Sequence, residues 1–334
     1  MSRIAFLRSL SAVCVVALGC SGSTTSSNLS AGGASTTTST GGMGGASTSS
    51  TGGAAGATTT ATGPIDFCTG CSLGPACTTW TNLDLIEASG VVASSLHDGV
   101  YFLHNDSGDS ARFFATSCAG EDLGVFKVKD VTSVDWEDVA RGPCGIKTCL
   151  YFADVGDNLE NRTDYAVYRV EEPASIGKGD HDVTASRFPF LYPDGSHDAE
   201  TILVHPATGE IAIVTKLKAA GKSGVYAFPT PLEPNKVVTL VKVGEVAVPS
   251  GSFRITAGDV HPSGKGILLR TYTSLFFYPM SEGQTIEASL AGAPCEMPVM
   301  LELQGESVAF TLDGRGYLTA SEQSGQSLHL ATCK

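Results

Sequence analysis

The chain has 334 residues, and its 34 Asp and Glu residues outnumber its 21 Lys and Arg residues, which gives a formal net charge of −13. This surplus of negative charge argues against nucleic-acid backbones and anionic membrane surfaces as partners. Because residues 1–66 contain little core-forming material beyond one short apolar run, the composition predicts a single large all-β domain over residues 67–334 rather than two domains.

The first residues predict export and a lipid anchor. Two arginines precede an apolar run, and the segment ends in Ala-Leu-Gly at residues 17–19 followed by Cys20, which is similar to a lipoprotein processing site. We expect residues 1–19 to be a signal peptide and Cys20 to carry the lipid, which would place the protein in the cell envelope, at the outer membrane or cell surface. An ordinary secretory signal followed by an unrelated cysteine is the alternative.

Residues 20–66 consist almost entirely of Ser, Thr, Gly and Ala. Such a segment cannot bury enough apolar surface to offset the entropy that ordering would cost. We therefore expect a flexible, lipid-anchored linker that holds the folded domain near a membrane without pressing it against the surface.

Eight cysteines follow the anchor, and an even number in an exported chain predicts four disulfides. Cys144 and Cys149 flank a short turn between apolar strands, so we expect these two to pair. The C-x-x-C spacing of Cys68 and Cys71 is also found in redox and zinc sites. No second C-x-x-C pair, nearby histidine or thioredoxin-like pattern accompanies it.

The domain contains an internal repeat. Its second aligned column reads Gly, Glu, Glu, Gly, Glu, and its fourth column is always Val or Ile. Second and third apolar strands follow in each copy, with a period of about 50 residues, which predicts a β-propeller of five or six blades. A β-sandwich, the alternative, would not explain the acidic column. The aligned segments are residues 89–93, 136–140, 199–203, 257–261 and 305–309.

The repeat predicts a cation site. The first strand of each propeller blade lines the central channel, so the second-column glutamates would form part of an inner ring, and acidic residues that close the second strands would lie at the same face. Carboxylates in such a group repel one another unless a cation neutralises them, and calcium prefers oxygen ligands of this kind. The alternative is that Asp and Asn in these loops serve only as turn residues. The predicted metal ligands are Asp106, Glu137, Asp154, Glu200, Asp259 and Glu306.

The candidate catalytic residues are His104, Glu137, Lys216 and Arg270. A bound metal would activate water, a carboxylate would act as general base, and Lys216 with Arg270 would hold a phosphate or carboxylate group. The competing hypothesis, which we favour, is that these groups form salt bridges lining a channel.

Four strings carry a family resemblance: HNDSGD at 104–109, DWED at 135–138, GDN at 156–158 and DAE at 198–200. They resemble strings in secreted and lipid-anchored bacterial β-propeller proteins of largely unassigned function, and the resemblance spans residues 85–330. More distantly, the layout is similar to phytase-like and esterase-like propellers, in which acidic residues of one face bind calcium and substrate phosphate. The resemblance implies the propeller fold.

Together these features predict a disulfide-stabilised propeller that acts as a binding or interaction module. An unidentified small-molecule or protein ligand would bind at the propeller face, with a cation on its acidic side. A calcium-dependent hydrolase of phosphate or ester bonds is the alternative function.

Overall fold

The structure, a computed structural model, describes residues 65–334, which fold into a five-bladed β-propeller. The prediction of an all-β propeller is confirmed. The predicted signal peptide (1–19), the predicted lipidation site Cys20 and nearly all of the predicted linker (20–66) lie outside the described residues. Within the described part of the chain, no helix has the length and apolar character needed to cross a membrane.

Each blade is built from four antiparallel strands, and the first of these lies closest to the propeller axis. Blade 5 also takes in the first strand of the domain, β1 (Cys71–Ala76). Blade 1 contains β2 (Ala88–Ala93), β3 (Val100–Asn105), β4 (Arg112–Ser117) and β5 (Val125–Val128). Blade 2 contains β6 (Trp136–Cys144), β7 (Lys147–Asp154), β8 (Ala166–Glu171) and, after β9 (Asp180–Val183), β10 (Ala185–Leu191).

The remaining three blades follow the same order. Blade 3 contains β11 (Ala199–Val204), β12 (Ile211–Thr215), β13 (Ser223–Ala227) and, after β14 (Val238–Thr239), β15 (Val241–Val246). Blade 4 contains β16 (Ile255–Val260), β17 (Gly266–Thr271), β18 (Leu275–Pro279) and, after α1 (Ile286–Leu290), β19 (Cys295–Met297). Blade 5 contains β20 (Gly305–Phe310), β21 (Gly316–Ser321) and β22 (His329–Cys333), and β1 completes it.

Pairing of the two ends of the domain closes the ring. β1 pairs antiparallel with β22, and disulfides Cys71–Cys333 and Cys68–Cys295 reinforce this closure. The predicted Cys144–Cys149 disulfide is confirmed, and Cys77–Cys118 is the fourth. Because Cys68 and Cys71 have different partners, their C-x-x-C spacing is neither a dithiol pair nor a zinc site.

The connections between third and fourth strands reach back to the preceding blade. β9 adds in parallel to β5 of blade 1, and β14 adds in parallel to β10 of blade 2. In blade 4 the connection is α1, whose Ile286 and Leu290 pack against Val246 and its neighbours. These additions cover sheet edges that would otherwise present unpaired backbone groups.

Apolar side chains fill the space between neighbouring blades. Between blades 1 and 2, Trp136 stacks on Phe152 with ring centroids 4.8 Å apart, and Phe113 lies 4.9 Å from Phe152. Strand residues alternate between the two faces of each sheet, so both faces bury apolar residues against adjacent blades. Trp136 therefore holds the start of β6 in place by packing.

The register of the first strands defines which residues are equivalent. Each first strand has an irregularity at its start where one residue has no partner on the second strand. The predicted alignment is correct for blades 2, 3 and 5, but it is off by one residue in blade 1 and by two in blade 4. The equivalent residues are Ser89, Glu137, Glu200, Thr256 and Glu306.

Candidate functional site

Two sets of equivalent residues meet at one face of the propeller, which we call the acidic face. The bulge set is the five residues just defined, and a β-bulge redirects the side chain it carries. The strand-end set directly follows the last residue of each second strand. Its members are Asp106, Val155, Lys216, Tyr272 and Glu322. Since first strands begin where second strands end, both sets lie at the same face.

Three carboxylates form the centre of the acidic face. Oxygen atoms of Asp106, Asp135 and Glu137 all lie within 4.8 Å of one another. Glu137 is 5% exposed, and no donor within residues 65–334 hydrogen-bonds its carboxylate. Gly156 makes this approach feasible, because a Cβ added there would overlap the carboxylates of Asp135 and Glu137. The glycine of the GDN string is thus required by the geometry of the cluster.

Burial is the largest cause that raises the pKa of each of these carboxyl groups, and the charge of Asp106 adds to it for Asp135 and Glu137. Burial is the larger cause for Asp135, whose pKa is raised to about 7, and the charge of Asp106 adds to it. Burial also raises the pKa of Glu137 well above its ordinary value, with Asp106 and Asp135 contributing. Removing water from anions and grouping them both disfavour the charged form. A bound cation would favour the charged form of each carboxyl group and so oppose both effects.

Two further glutamates from blade 5 extend the cluster. The pKa of Glu322 is raised to about 8 by burial and by the charges of Glu306 and Asp106. Glu322 also hydrogen-bonds the side chain of Asp106, so a protonated Glu322 would be the donor. The pKa of Glu306 is raised to about 7, chiefly by burial.

Lys216 is the cation placed among these acids. Its ammonium group pairs with Glu200 and lies 5.2 Å from the centre of the Tyr272 ring. Lys216 opposes the upward pKa shifts of Asp106, Glu137 and Glu306. The second carboxylate oxygen of Glu200 is buried and has no hydrogen-bond partner among residues 65–334. One ammonium group therefore faces a larger number of carboxylates, which leaves the cluster short of positive charge.

Asp154 supports the cluster without being one of the three grouped carboxylates. Its carboxylate accepts the backbone N–H groups of Val134 (3.2 Å) and Asp135 (3.0 Å) and forms an ion pair with Arg162 at 2.8 Å. These bonds hold the loop that carries Asp135. Asp154 thus positions a cluster residue, and its own oxygens are already occupied.

His104 does not join the cluster, and Arg270 acts on it only through its charge, which opposes the upward pKa shift of Glu306. His104 is fully buried between Trp136 and Phe152, and burial lowers its pKa to about 4. Arg270 is 1% exposed and pairs with buried Glu302 while donating to the Ser307 carbonyl at 3.0 Å. Each lies against a glycine of an inner strand, Gly90 for His104 and Gly305 for Arg270. Both are packing residues between blades rather than groups that face a ligand.

Asp259 lies farther along the channel, outside the cluster. Its carboxylate accepts the backbone N–H of Val260 and of Phe310, each at 2.8 Å. Asp138 has a similar role, since it accepts from Ile202 (3.1 Å) and Gly258 (3.4 Å). The inner strands are buried sheet edges whose N–H groups need acceptors, and these two aspartates provide them.

The remaining acids of the motif strings mostly satisfy local donors. Asp109 pairs with Arg112 at 2.9 Å, and Asp157 accepts from the Tyr165 hydroxyl at 2.6 Å. Asp198 of the DAE string accepts the backbone N–H of Asp157 at 2.8 Å. In these positions the turn-residue interpretation holds.

The ligand set predicted from the sequence does not include Asp135 and Glu322. Asp135 belongs to the DWED string, but it precedes the aligned segment and so had no place in the repeat. Glu322 directly follows a second strand, as Asp106 does, and this equivalence in the sequence marks Glu322 as a candidate ligand. The structure brings together Asp106, Asp135, Glu137, Glu306 and Glu322, with Glu200 and Lys216 adjacent.

Carboxylate oxygens grouped in this way suit a hard divalent cation such as Ca²⁺ or Mg²⁺. No protein-family model matches the chain, and no curated protein is significantly similar to it in sequence.

Proposed function

We propose that this chain is a cell-envelope lipoprotein whose propeller acts as a binding or interaction module and holds a divalent cation, calcium first, on the acidic face. This proposal rests mainly on the carboxylate oxygens of Asp106, Asp135 and Glu137, which lie within 4.8 Å of one another. Within the described part of the chain, the buried Glu137 carboxylate has no donor and one oxygen of Glu200 has no partner, and both observations support the same proposal. Lipid attachment at Cys20 would fix the module to a membrane.

Exposed apolar side chains on the loops of the acidic face support the interaction role. Leu83 is 89% exposed and Leu301 84% exposed. Apolar groups on one face of a soluble domain often mark a partner surface. The exposed apolar side chains of the acidic face belong to Leu83, Ile86, Val134, Leu159, Leu301 and Leu303, and others, including Ile146 and Leu96, lie in turns at the opposite face.

Calorimetric titration of the chelator-treated protein with Ca²⁺ and Mg²⁺ tests the cation. We expect saturable binding and a higher melting temperature with the ion. Glu137→Gln and Asp106→Asn should each weaken binding at least about tenfold, since each removes one anionic ligand. Asp98→Asn, which removes an exposed charge at the opposite face, is the matched control. Absence of saturable binding by either ion would refute the cation site.

A calcium-dependent hydrolase of phosphate or ester bonds is the second candidate. Lys216 and Tyr272 beside the carboxylates favour it, because an ammonium group next to a cation would bind a substrate anion. Two of the four predicted catalytic residues, His104 and Arg270, are buried between blades, which weakens this candidate. Assays of phosphomonoester, phosphodiester and lactone substrates distinguish the two functions. Calcium-dependent turnover that Glu137→Gln abolishes would favour the hydrolase over a pure binding module.

A further inference from the structure

A cavity of about 1080 Å³ opens on the face opposite the acidic cluster, at the turns that follow the first strands of blades 3 and 4. Its apolar wall includes Phe67, Phe277 and Met280. Phe67 stacks on Phe277 with centroids 4.6 Å apart, and the neighbouring Cys68–Cys295 disulfide ties this segment to blade 4. The cavity is therefore a built feature, of a size that accepts small molecules.

Two histidines in equivalent turns line this cavity. Each follows a first strand and precedes a proline, His205 in blade 3 and His261 in blade 4. The Nδ1 atom of His205 accepts the backbone N–H groups of Ala207 and Thr208, both at 3.2 Å, and that of His261 accepts from Ser263 at 3.1 Å. Since Nδ1 is the acceptor, a neutral ring carries its proton on Nε2.

The two Nε2–H groups differ in their partners. That of His261 donates to the carbonyl of Gly314 in blade 5 at 3.0 Å. That of His205 lies over Gly264, the equivalent glycine of blade 4, but within residues 65–334 no acceptor bonds it. His205 is only 8% exposed. The Nε2 atom is not one of the fully buried polar atoms that lack a partner, so this N–H is open to a hydrogen-bond acceptor that enters the cavity.

Two cationic side chains line the same cavity as that donor. Lys265 directly follows Gly264, Arg315 occupies the equivalent place in blade 5, and both line the cavity. Within the described residues neither side chain forms an ion pair. Of the two acids in the lining, Glu210 accepts the backbone N–H of Ile286 at 3.3 Å, whereas Glu282 forms no such bond. The cavity thus offers a free N–H at His205 and two cations without ion-pair partners among residues 65–334, alongside the carboxylates of Glu210 and Glu282.

We propose that this cavity binds a small monocarboxylate with an apolar body. The carboxylate accepts from Nε2–H of His205 and pairs with Lys265, and the apolar body packs against Phe67, Phe277 and Met280. The site is separate from the acidic face, so a chelator that strips the cation leaves carboxylate binding unchanged. The outcome of this proposal is therefore independent of the cation proposal.

Calorimetric titration with 4-phenylbutyrate, 4-phenylbutanol and acetate tests the proposal on the purified protein. A ligand of this size is expected to bind with a Kd on the order of 0.1–1 mM. The alcohol, which lacks the anion, should bind at least about tenfold more weakly, and acetate, which lacks the apolar body, should give no saturable binding. No saturable binding of phenylbutyrate, or equal affinities for acid and alcohol, would overturn the proposal.

Two variants locate the site. In His205→Asn the amide oxygen replaces Nδ1 as the acceptor of the turn, but the Nε2–H donor is lost, so affinity for phenylbutyrate should fall at least about fivefold. His97→Asn is the matched control, because His97 lies in the corresponding turn of blade 1, away from this cavity, and its Nε2–H donates to the Pro173 carbonyl at 2.8 Å; affinity should stay within about twofold. Ala207→Trp places a ring at the exposed mouth and should abolish binding without altering the core. Unchanged affinity in Ala207→Trp would contradict the location whether or not His205→Asn folds.

Discussion

The carboxylate of Asp259 in blade 4 accepts a hydrogen bond of 2.8 Å from the backbone N–H of Phe310 in blade 5. This bond joins the inner strands of the two blades beside the central channel. Inner strands have no neighbour on the channel side, so their N–H groups depend on side-chain acceptors. Asp138 performs the same task for blades 3 and 4 through Ile202 and Gly258. Side chains of the inner strands therefore join the blades to one another.

Asp259 should make stability depend on pH. Its pKa is raised to about 6, chiefly by burial, from the ordinary 3.8. The folded state then binds more protons than the unfolded state between these values, so this group favours folding below about pH 4 and loses that contribution as pH rises through 6. Compared with Asp259→Asn, the wild-type protein should lose stability on the order of 3 kcal/mol between pH 4 and 8. Denaturant unfolding of both proteins at each pH measures the difference. Parallel pH profiles would contradict it.

Gly156→Ala should disrupt the carboxylate cluster. The added methyl group overlaps the side chains of Asp135 and Glu137 and forces them apart. Calcium affinity should fall at least about tenfold, because the ligands no longer converge. Gly244→Ala is the matched control, since a Cβ there meets no atom within 4 Å. Equal calcium affinities of the two variants, measured by calorimetry, would speak against the cluster as the cation site.

Lys216→Met should destabilise the cation-free protein. It leaves Glu200 buried without its partner, and breaking a buried ion pair in this way typically costs about 3–5 kcal/mol. The double variant Lys216→Met with Glu200→Gln removes both charges and should recover most of that loss. Unfolding in guanidinium with chelator present measures both. A double variant no more stable than the single one would show that the pair is not the cause.

The two closing disulfides should act redundantly. Either Cys68–Cys295 or Cys71–Cys333 alone closes a loop of more than 200 residues, with separations of 227 and 262. Replacing both cysteines of one bridge by serine should therefore lower the free energy of unfolding only slightly. Removing both bridges should lower it by about 5 kcal/mol. Cys144→Ser with Cys149→Ser opens a separation of only 5 residues and should cost about 2 kcal/mol. Additive losses at the closing pair, seen in denaturant midpoints, would argue against redundancy.

Cys20→Ser should release the protein from membranes. The thiol is the proposed attachment point of the lipid, and a hydroxyl would not be acylated in its place. Fractionation of cells that express the two forms measures the change. Continued membrane association of Cys20→Ser would refute the anchor.

The propeller was predictable because its signal is repeated. Apolar runs of strand length recur with turn residues between them, and the Glu-x-Val pattern at Glu137 and Glu306 marks equivalent bulges. The sequence alignment assigns Asp259 wrongly to the ligand set, because it puts Gly258 at the bulge position that Thr256 occupies in blade 4. A shift of two residues keeps a side chain on the same side of a strand, so the apolar pattern alone does not detect it.

The roles of His104 and Arg270 depended on packing that one strand does not reveal. Each is a long polar side chain that fits between blades because a glycine, Gly90 or Gly305, lies against it. Those glycines belong to the aligned columns, yet which distant side chain fills the space beside them is set by blade-to-blade contact. Such contact is established by the closed ring rather than by local sequence.

The position of β1 determines how the domain bears mechanical load. Tension applied to the chain ahead of residue 65 reaches Cys68 and Cys71 first, and both are covalently bonded to blades 4 and 5. The pull is then shared between two neighbouring blades and does not peel β1 away from β22 one hydrogen bond at a time. A propeller held by its N-terminal end, as a lipid anchor would hold it, is thereby protected against unzipping from the point of attachment.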